Sequence, residues 1–167
     1  MIRSRLLKIA SIACVGVISA AMFVGCATQQ STLTDEQKAN REYMSTVSQK
    51  VESLSDTLSS FNDAVSRKDA VTMKTQASNA AKVLDELAAV EAPEALSDIK
   101  TNYVNGANAL EEALNSYVQL FSDIDSATDA NPFDWSSYDA RVAEIQAKYD
   151  EGISALKSGD EAASSKE

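Results

Sequence analysis

The side chains with the most chemistry to offer in this sequence are two cysteines, Cys14 and Cys26, because the chain contains no histidine. A thiolate is a nucleophile and a metal ligand. The missing histidine removes the usual general base, the histidine ligands of zinc and the Glu-x-x-His ligand pairs of metal-binding bundles. What the two thiols can do therefore depends on the segments that carry them.

Both cysteines belong to an N-terminal segment that is typical of export. A basic leader at residues 3–8 precedes an apolar stretch at 9–24, which contains Cys14 and ends at Gly25-Cys26. A basic leader, a short apolar region and a small residue at the processing site form a secretory signal. The stretch has roughly 16 residues, whereas a membrane span needs about 20. We predict that this signal is cleaved, which removes Cys14 and leaves no disulfide.

The segment 23–26, F-V-G-C, resembles the lipobox of bacterial prolipoproteins. The resemblance covers residues 1–26. It implies that Cys26 is the first mature residue and carries lipid (diacylglycerol, palmitate), so that the protein is anchored to the cell membrane and faces outside the cytoplasm. Two acyl chains hold a protein stably, whereas one holds it only marginally. Two alternatives stay open, namely cleavage after Ala27 without lipid and an uncleaved anchor.

Charge limits the partners. All 25 acidic residues follow Cys26, whereas three of the 15 basic residues precede it. The exported part therefore carries 12 basic residues and a net charge of −13 (12 − 25). Nucleic-acid binding needs clustered Lys and Arg, so we expect no nucleic-acid partner. We also expect the body not to lie flat on anionic lipid.

Apolar residues in the exported part recur every three or four positions, which places them on one face of an amphipathic helix. Four such stripes occupy residues 43–65, 73–87, 96–124 and 138–156. Short connections favour antiparallel neighbours. We therefore predict an all-α fold, an antiparallel up-down four-helix bundle after a cleaved N-terminal signal. Leu54, Leu110 and Ile145, in the middle of their stripes, should be buried. Gly106 and Gly152 should permit close helix approach, or simply be tolerated, rather than mark a ligand site.

Composition and capping residues predict the boundaries of the segments. Thr34 and Gln37 have the spacing of a capping box at the first helix, and Asp69 is a suitable N-cap for the second. The polar, Ser- and Glu-rich end resembles disordered chain. The predicted segments are a signal peptide at 1–25, a lipidated tether at 26–34, the bundle at 35–157 and a disordered tail at 158–167.

Helix lengths assign a role to the loop before the fourth helix. At 1.5 Å per residue the second and fourth helices span roughly 33–35 Å, so they leave the last turns of the third helix uncovered. The first helix spans roughly 48 Å and begins with a polar stalk. We predict that Phe133, Trp135 or both pack on Phe121 and close the membrane-distal end. The alternative is that Phe133, Trp135 and Tyr138 form an aromatic binding platform for a glycan or an envelope protein.

The same loop is rich in acidic residues. Hard cations take carboxylate and amide oxygens, and the chain offers them at Asp123, Asp125, Asp129, Asn131 and Asp134. The EF-hand pattern is absent, however, because Gly at the sixth and Glu at the twelfth position are both missing. Capping, turns and solvation are the preferred explanation, with a weak calcium site as the alternative. We assign no metal site and no cofactor.

Catalytic motifs are absent, since there is no phosphate-binding glycine loop, no nucleophile elbow and no acidic residue on the apolar stripes. We therefore predict a non-enzymatic protein, lipid-anchored outside the cytoplasm, that binds or scaffolds an envelope protein or glycan at the cell envelope. The alternative is a ligand-sensing or solute- or cation-handling bundle, with a small molecule between the helices or at the distal loop. A polar-lined cavity or a perturbed buried carboxylate would favour that alternative, and a filled apolar core would favour the scaffold.

Overall fold

A computed structural model describes residues 33–165 of the chain. Its helices are α1 (Asp35–Arg67), α2 (Ala70–Ala89), α3 (Ser97–Asp125) and α4 (Tyr138–Ser164), with a 3-10 turn at Glu94–Leu96. These residues contain no strand, which confirms the all-α prediction. None of the helices in this part of the chain has the length and apolar character that crossing a bilayer requires. The predicted signal peptide, Cys26 and the tether up to residue 32 lie outside the described residues.

The first two helices begin at the predicted caps. The Gln37 backbone N–H donates to Thr34 Oγ1 (3.2 Å), and the Thr34 N–H donates to Gln37 Oε1 (3.0 Å), which completes a capping box. Asp69 caps α2 by accepting from the Thr72 backbone N–H (3.0 Å) and hydroxyl (2.6 Å). Between the two helices, Lys68 adopts a left-handed conformation, with a φ of 57°, and its N–H reaches the carbonyls of the last turn of α1. These local bonds set the turn from α1 into α2.

The apolar stripes meet in one core. Leu54 and Leu110 are 0% exposed and Ile145 is 4% exposed, as predicted. The ring of Phe61 on α1 lies edge-on to that of Tyr117 on α3, with centroids 5.6 Å apart. No polar or charged residue between 33 and 165 is buried. Burial of apolar surface, rather than a buried ion pair, therefore stabilises the bundle.

Successive helices pack on each other, and α3 and α4 share the most extensive contact. Two glycines lie in that contact. A Cβ on Gly106 would be 3.0 Å from the Gly152 carbonyl oxygen, and a Cβ on Gly152 would be 3.0 Å from the Gly106 carbonyl oxygen. This confirms that Gly106 and Gly152 permit close helix approach.

The first turns of α1 are exposed. Residues 35–39 are in solvent, and Tyr43, at 4% exposure, is the first buried side chain of the helix. This agrees with the expectation that α1 begins with a polar stalk. The first turns of α1 are exposed because the apolar stripe of the helix begins only at Tyr43.

The end of α4 differs from the prediction of a disordered tail at 158–167. The helix continues through Gly159 and Ala163 to Ser164. Gly159 is buried and Ala163 is only 6% exposed, so they extend the stripe beyond Leu156 at steps of three and four. Neither position was predicted to be in the core, because small residues carry a weak hydrophobic signal. The last two turns of α4 consequently belong to the bundle.

Candidate functional site

The loop between α3 and α4 holds an aromatic cluster. The rings of Phe133 and Trp135 meet edge-on with centroids 5.0 Å apart, and those of Trp135 and Tyr138 are 5.8 Å apart. Asp134 fixes the turn between them by accepting from the backbone N–H (2.9 Å) and hydroxyl (2.7 Å) of Ser136. These bonds hold the pKa of the Asp134 carboxyl below its usual value. The three residues predicted as an aromatic platform are thus adjacent.

The aromatic cluster lies against the core. Phe133 and Trp135 are half-buried on the core cluster that contains Phe121, and Tyr138 is 8% exposed. Such burial is what the predicted closure of the distal end requires. Direct packing on Phe121 stays a prediction. Phe133 and Trp135 therefore expose less apolar surface to solvent than they would in an aromatic platform that stood clear of the core.

Arg141, which the sequence analysis did not single out, joins the loop to both flanking helices. Its guanidinium lies over the Phe133 ring, 6.0 Å from the centroid, and its Nη1 lies 2.8 Å from Asp123 Oδ2 on α3. The sequence carries one signal for this role, because Arg141 is the first basic residue after Lys100 in an otherwise acidic stretch. Cation–π and ion-pair contacts of this kind hold side chains in place more than they stabilise the fold.

The hydroxyl of Tyr138 is buried without a hydrogen-bond partner among the described residues. Burial, with a smaller effect of the Asp139 charge, raises its pKa above the ordinary value. The phenol therefore stays protonated at neutral pH. The hydroxyl can donate a hydrogen bond to a polar group or accept one from it, but it is not suited to act as a base.

The acidic side chains of the loop do not converge. Asp123 pairs with Arg141 and Asp134 with Ser136, whereas Asp125 and Asp129 are exposed. Between residues 33 and 165, no group of three or more His, Cys, Asp or Glu side chains is placed to hold a metal ion. The alternative of a weak calcium site therefore gains no support from the geometry.

A second polar group of residues joins the start of α3 to the end of α4. The Tyr103 hydroxyl donates to Asp160 Oδ1 at 2.6 Å. Burial raises the pKa of Asp160, although the Tyr103 bond opposes the shift. Burial first, then the bond to Asp160, raises the pKa of Tyr103, and burial raises the pKa of Tyr43 on α1 to about 12. Asp160 was not predicted as a site residue, because it lies in the segment predicted to be a disordered tail.

Asp160 is thus a perturbed, partly buried carboxylate, the feature expected of a ligand-binding bundle. It does not line the open groove at the connection of α2 and α3, however. That groove is lined by Glu91, Ala92, Ser97, Lys100, Thr101, Val104 and Asn105. The carboxylate is therefore an internal contact between helices in this structure.

The structure thus brings together Phe133, Trp135 and Tyr138, while the predicted lipidation residue Cys26 lies outside the described part of the chain. Sequence and structure comparisons do not extend these observations. No family model matches the chain, and no curated protein or solved structure is significantly similar to it.

Proposed function

We propose that this protein is lipid-anchored through Cys26 at the outer face of the cell membrane and acts by binding or scaffolding at the cell envelope. Its binding surface is the loop at residues 126–137 with its aromatic cluster. The helices form an antiparallel up-down bundle that carries this loop at the end away from the tether. The bond between Tyr103 and Asp160 joins the start of α3 to the end of α4, and the ion pair between Asp123 and Arg141 joins the end of α3 to the start of α4. The two contacts together support antiparallel packing of these helices.

The observation that carries the proposal is the apolar character of the core. No polar or charged residue between 33 and 165 is buried, whereas ligand pockets place a few polar groups around a cavity. Binding is therefore expected at the surface. Loops carry a disproportionate share of binding residues. The loop at residues 126–137 is also longer than the connections of roughly two to eight residues that usually join the helices of a bundle.

Charge narrows the class of partner. Residues 101–140 contain no Lys or Arg, and Asp125, Asp129 and Asp139 are exposed on and beside the loop. Like charges disfavour an anionic partner. An envelope protein with a basic surface, or a neutral glycan, is therefore the partner class that fits, and aromatic rings can stack on either.

We further propose that the protein is not an enzyme. The chain has no histidine, and the tyrosines whose pKa values are raised stay protonated at neutral pH. A ligand-sensing or cation-handling bundle is the second candidate, and the observation that favours it is the raised pKa of Asp160. It ranks below the scaffold because Asp160 already has Tyr103 as its partner.

Site-specific photo-crosslinking in the producing cells tests the binding surface. A photoreactive residue at exposed Asp129 in the loop should give discrete adducts. The same residue at Asp85, an exposed aspartate on α2, should not. Adducts from position 129 should disappear when Trp135 is replaced by Ala. Equal adducts from both positions, or none from position 129, would count against the loop as the binding surface.

A further inference from the structure

The Tyr103–Asp160 contact depends on a glycine beside it. A Cβ on Gly159 would lie 3.0 Å from the Cε1 and Cζ atoms of the Tyr103 ring. Because Gly159 has no side chain, the backbone of α4 can pack directly against the Tyr103 ring. The Tyr103 hydroxyl then reaches the next residue, Asp160, at 2.6 Å. Ring and hydroxyl together hold the last turns of α4 on α3.

Within the described part of the chain, Asp160 has no cationic partner. Tyr103 faces Asp160 from α3, and Tyr43, on α1, interacts electrostatically with Tyr103. On α4 itself the nearest charged residues are Lys157 and Glu161, both exposed. Among residues 33–165, no lysine or arginine forms an ion pair with Asp160. An ionised Asp160 is therefore partly desolvated, with one hydrogen-bond donor to offset that cost.

We propose that the Tyr103–Asp160 contact is a latch that tightens in acid, so that the last two turns of α4, residues 157–164, dock on α3 more firmly when Asp160 is protonated. This goes beyond the proposed function and does not depend on it. A protonated carboxyl can still accept the Tyr103 hydroxyl at its carbonyl oxygen, while the cost of desolvating a charge disappears.

The sign of the pH dependence follows from the direction of the shift. Burial raises the pKa of Asp160 above 3.8, its ordinary value, when the helix end is docked. The docked end then binds more protons than the undocked end. Its added stability is complete below 3.8 and is lost as the pH rises through the raised pKa. Each unit of difference between the Asp160 pKa of the docked helix end and that of the undocked end changes the docking equilibrium about tenfold.

Hydrogen exchange on the full chain, purified in detergent, tests the latch. Protection factors of residues 157–164, corrected for the intrinsic pH dependence of exchange, are compared at pH 4 and pH 7.5. We expect severalfold higher protection at pH 4, and a smaller change in the middle of α4. Asp160→Asn should abolish the difference because its carboxamide does not titrate. Glu161→Gln removes the same charge at an exposed neighbouring position and should retain the wild-type difference.

Tyr103→Phe and a direct titration keep the proposal testable if Asp160→Asn perturbs folding. The Phe ring can still pack on Gly159, but the donor that opposes the pKa shift is lost. The pH response should therefore move to higher pH. An NMR titration of the wild-type Asp160 carboxyl should give a pKa above 3.8. A pKa at or below that value, or equal protection at both pH values in the wild type, would overturn the latch.

Discussion

Gly106 on α3 and Gly152 on α4 face each other so closely that a methyl group on either would lie 3.0 Å from the carbonyl oxygen of the other. The two helices therefore touch through backbone at this level. The side chains of Leu110 and Leu156 flank the contact, and the added methyl groups would come within 2.6 Å and 2.8 Å of them. Close backbone approach of this kind makes α3 and α4 the most extensively packed pair.

Gly152→Ala should destabilise the protein although alanine favours helix. Helix propensity contributes about 1 kcal/mol in favour of alanine, whereas overpacking of a filled core costs about 1–3 kcal/mol. We expect a net loss, measured as a lower midpoint of urea unfolding. Ser154→Ala, on the exposed side of the same helix, is the control and should be neutral or slightly stabilising. A stability gain in Gly152→Ala would show that the helices can separate at little cost.

Leu54→Ala and Leu110→Ala should each lower the free energy of unfolding by about 2–5 kcal/mol, since both remove fully buried side chains. Ile145→Ala should fall in the same range because its residue is 4% exposed. Val71, which is 76% exposed, gives the matched control, and Val71→Ala should cost less than about 0.5 kcal/mol. Losses no larger than that control at all three core positions would mean that the core is assigned to the wrong faces.

Arg141→Ala should loosen the distal loop with little effect on global stability. The change removes the contact over the Phe133 ring and the ion pair with Asp123, which together contribute roughly 1 kcal/mol or less at a partly exposed site. Trp135 is the only tryptophan, so its emission reports on this loop. We expect a red shift and stronger acrylamide quenching, with Arg41→Ala as an exposed control. An unchanged spectrum would show that Arg141 does not hold the aromatic cluster.

Asp69 should make the stability of the bundle decrease in acid. Hydrogen bonds from Thr72, side chain first and then backbone, lower the pKa of the Asp69 carboxyl in the folded state. The stabilisation is therefore present above its ordinary pKa of 3.8 and is lost as the pH falls through the lowered value. Asn is a comparable N-cap without a titrating group, so Asp69→Asn should reduce the loss of stability below pH 4. Asp63→Asn, at an exposed position on α1, should leave the pH profile unchanged.

Cys26→Ser should shift the protein from the membrane fraction to the soluble fraction, or leave an unprocessed precursor. The reason is that serine lacks the thiol to which the lipid of a prolipoprotein is attached. Cell fractionation with the wild-type chain as reference measures the first effect, and intact mass spectrometry measures the acyl groups. A mature wild-type chain that begins at Thr28 and carries no acyl mass would contradict lipidation.

Local sequence signals were sufficient for most of the secondary structure. The capping box at Thr34 and the cap at Asp69 act over three residues, and the stripes of α1 to α3 recur within single helices. Such features depend only on neighbours along the chain, so they can be interpreted without a tertiary structure. The same holds for the burial of Leu54 and Leu110, because their positions in a stripe decide which face they occupy.

The end of α4, the Asp123–Arg141 ion pair and the Tyr103–Asp160 hydrogen bond depended on tertiary structure. Gly159 and Ala163 are too small to mark a stripe. Gly159 is buried because the Tyr103 ring of α3 lies against it, and Ala163 is part of the core cluster. Arg141 and Asp160 find their partners on other segments, Asp123 and Tyr103, at distances that periodicity within a helix does not encode. Which helices meet, and how closely, is decided by the packing of small residues between them, and that packing turns an apparent tail into part of the bundle.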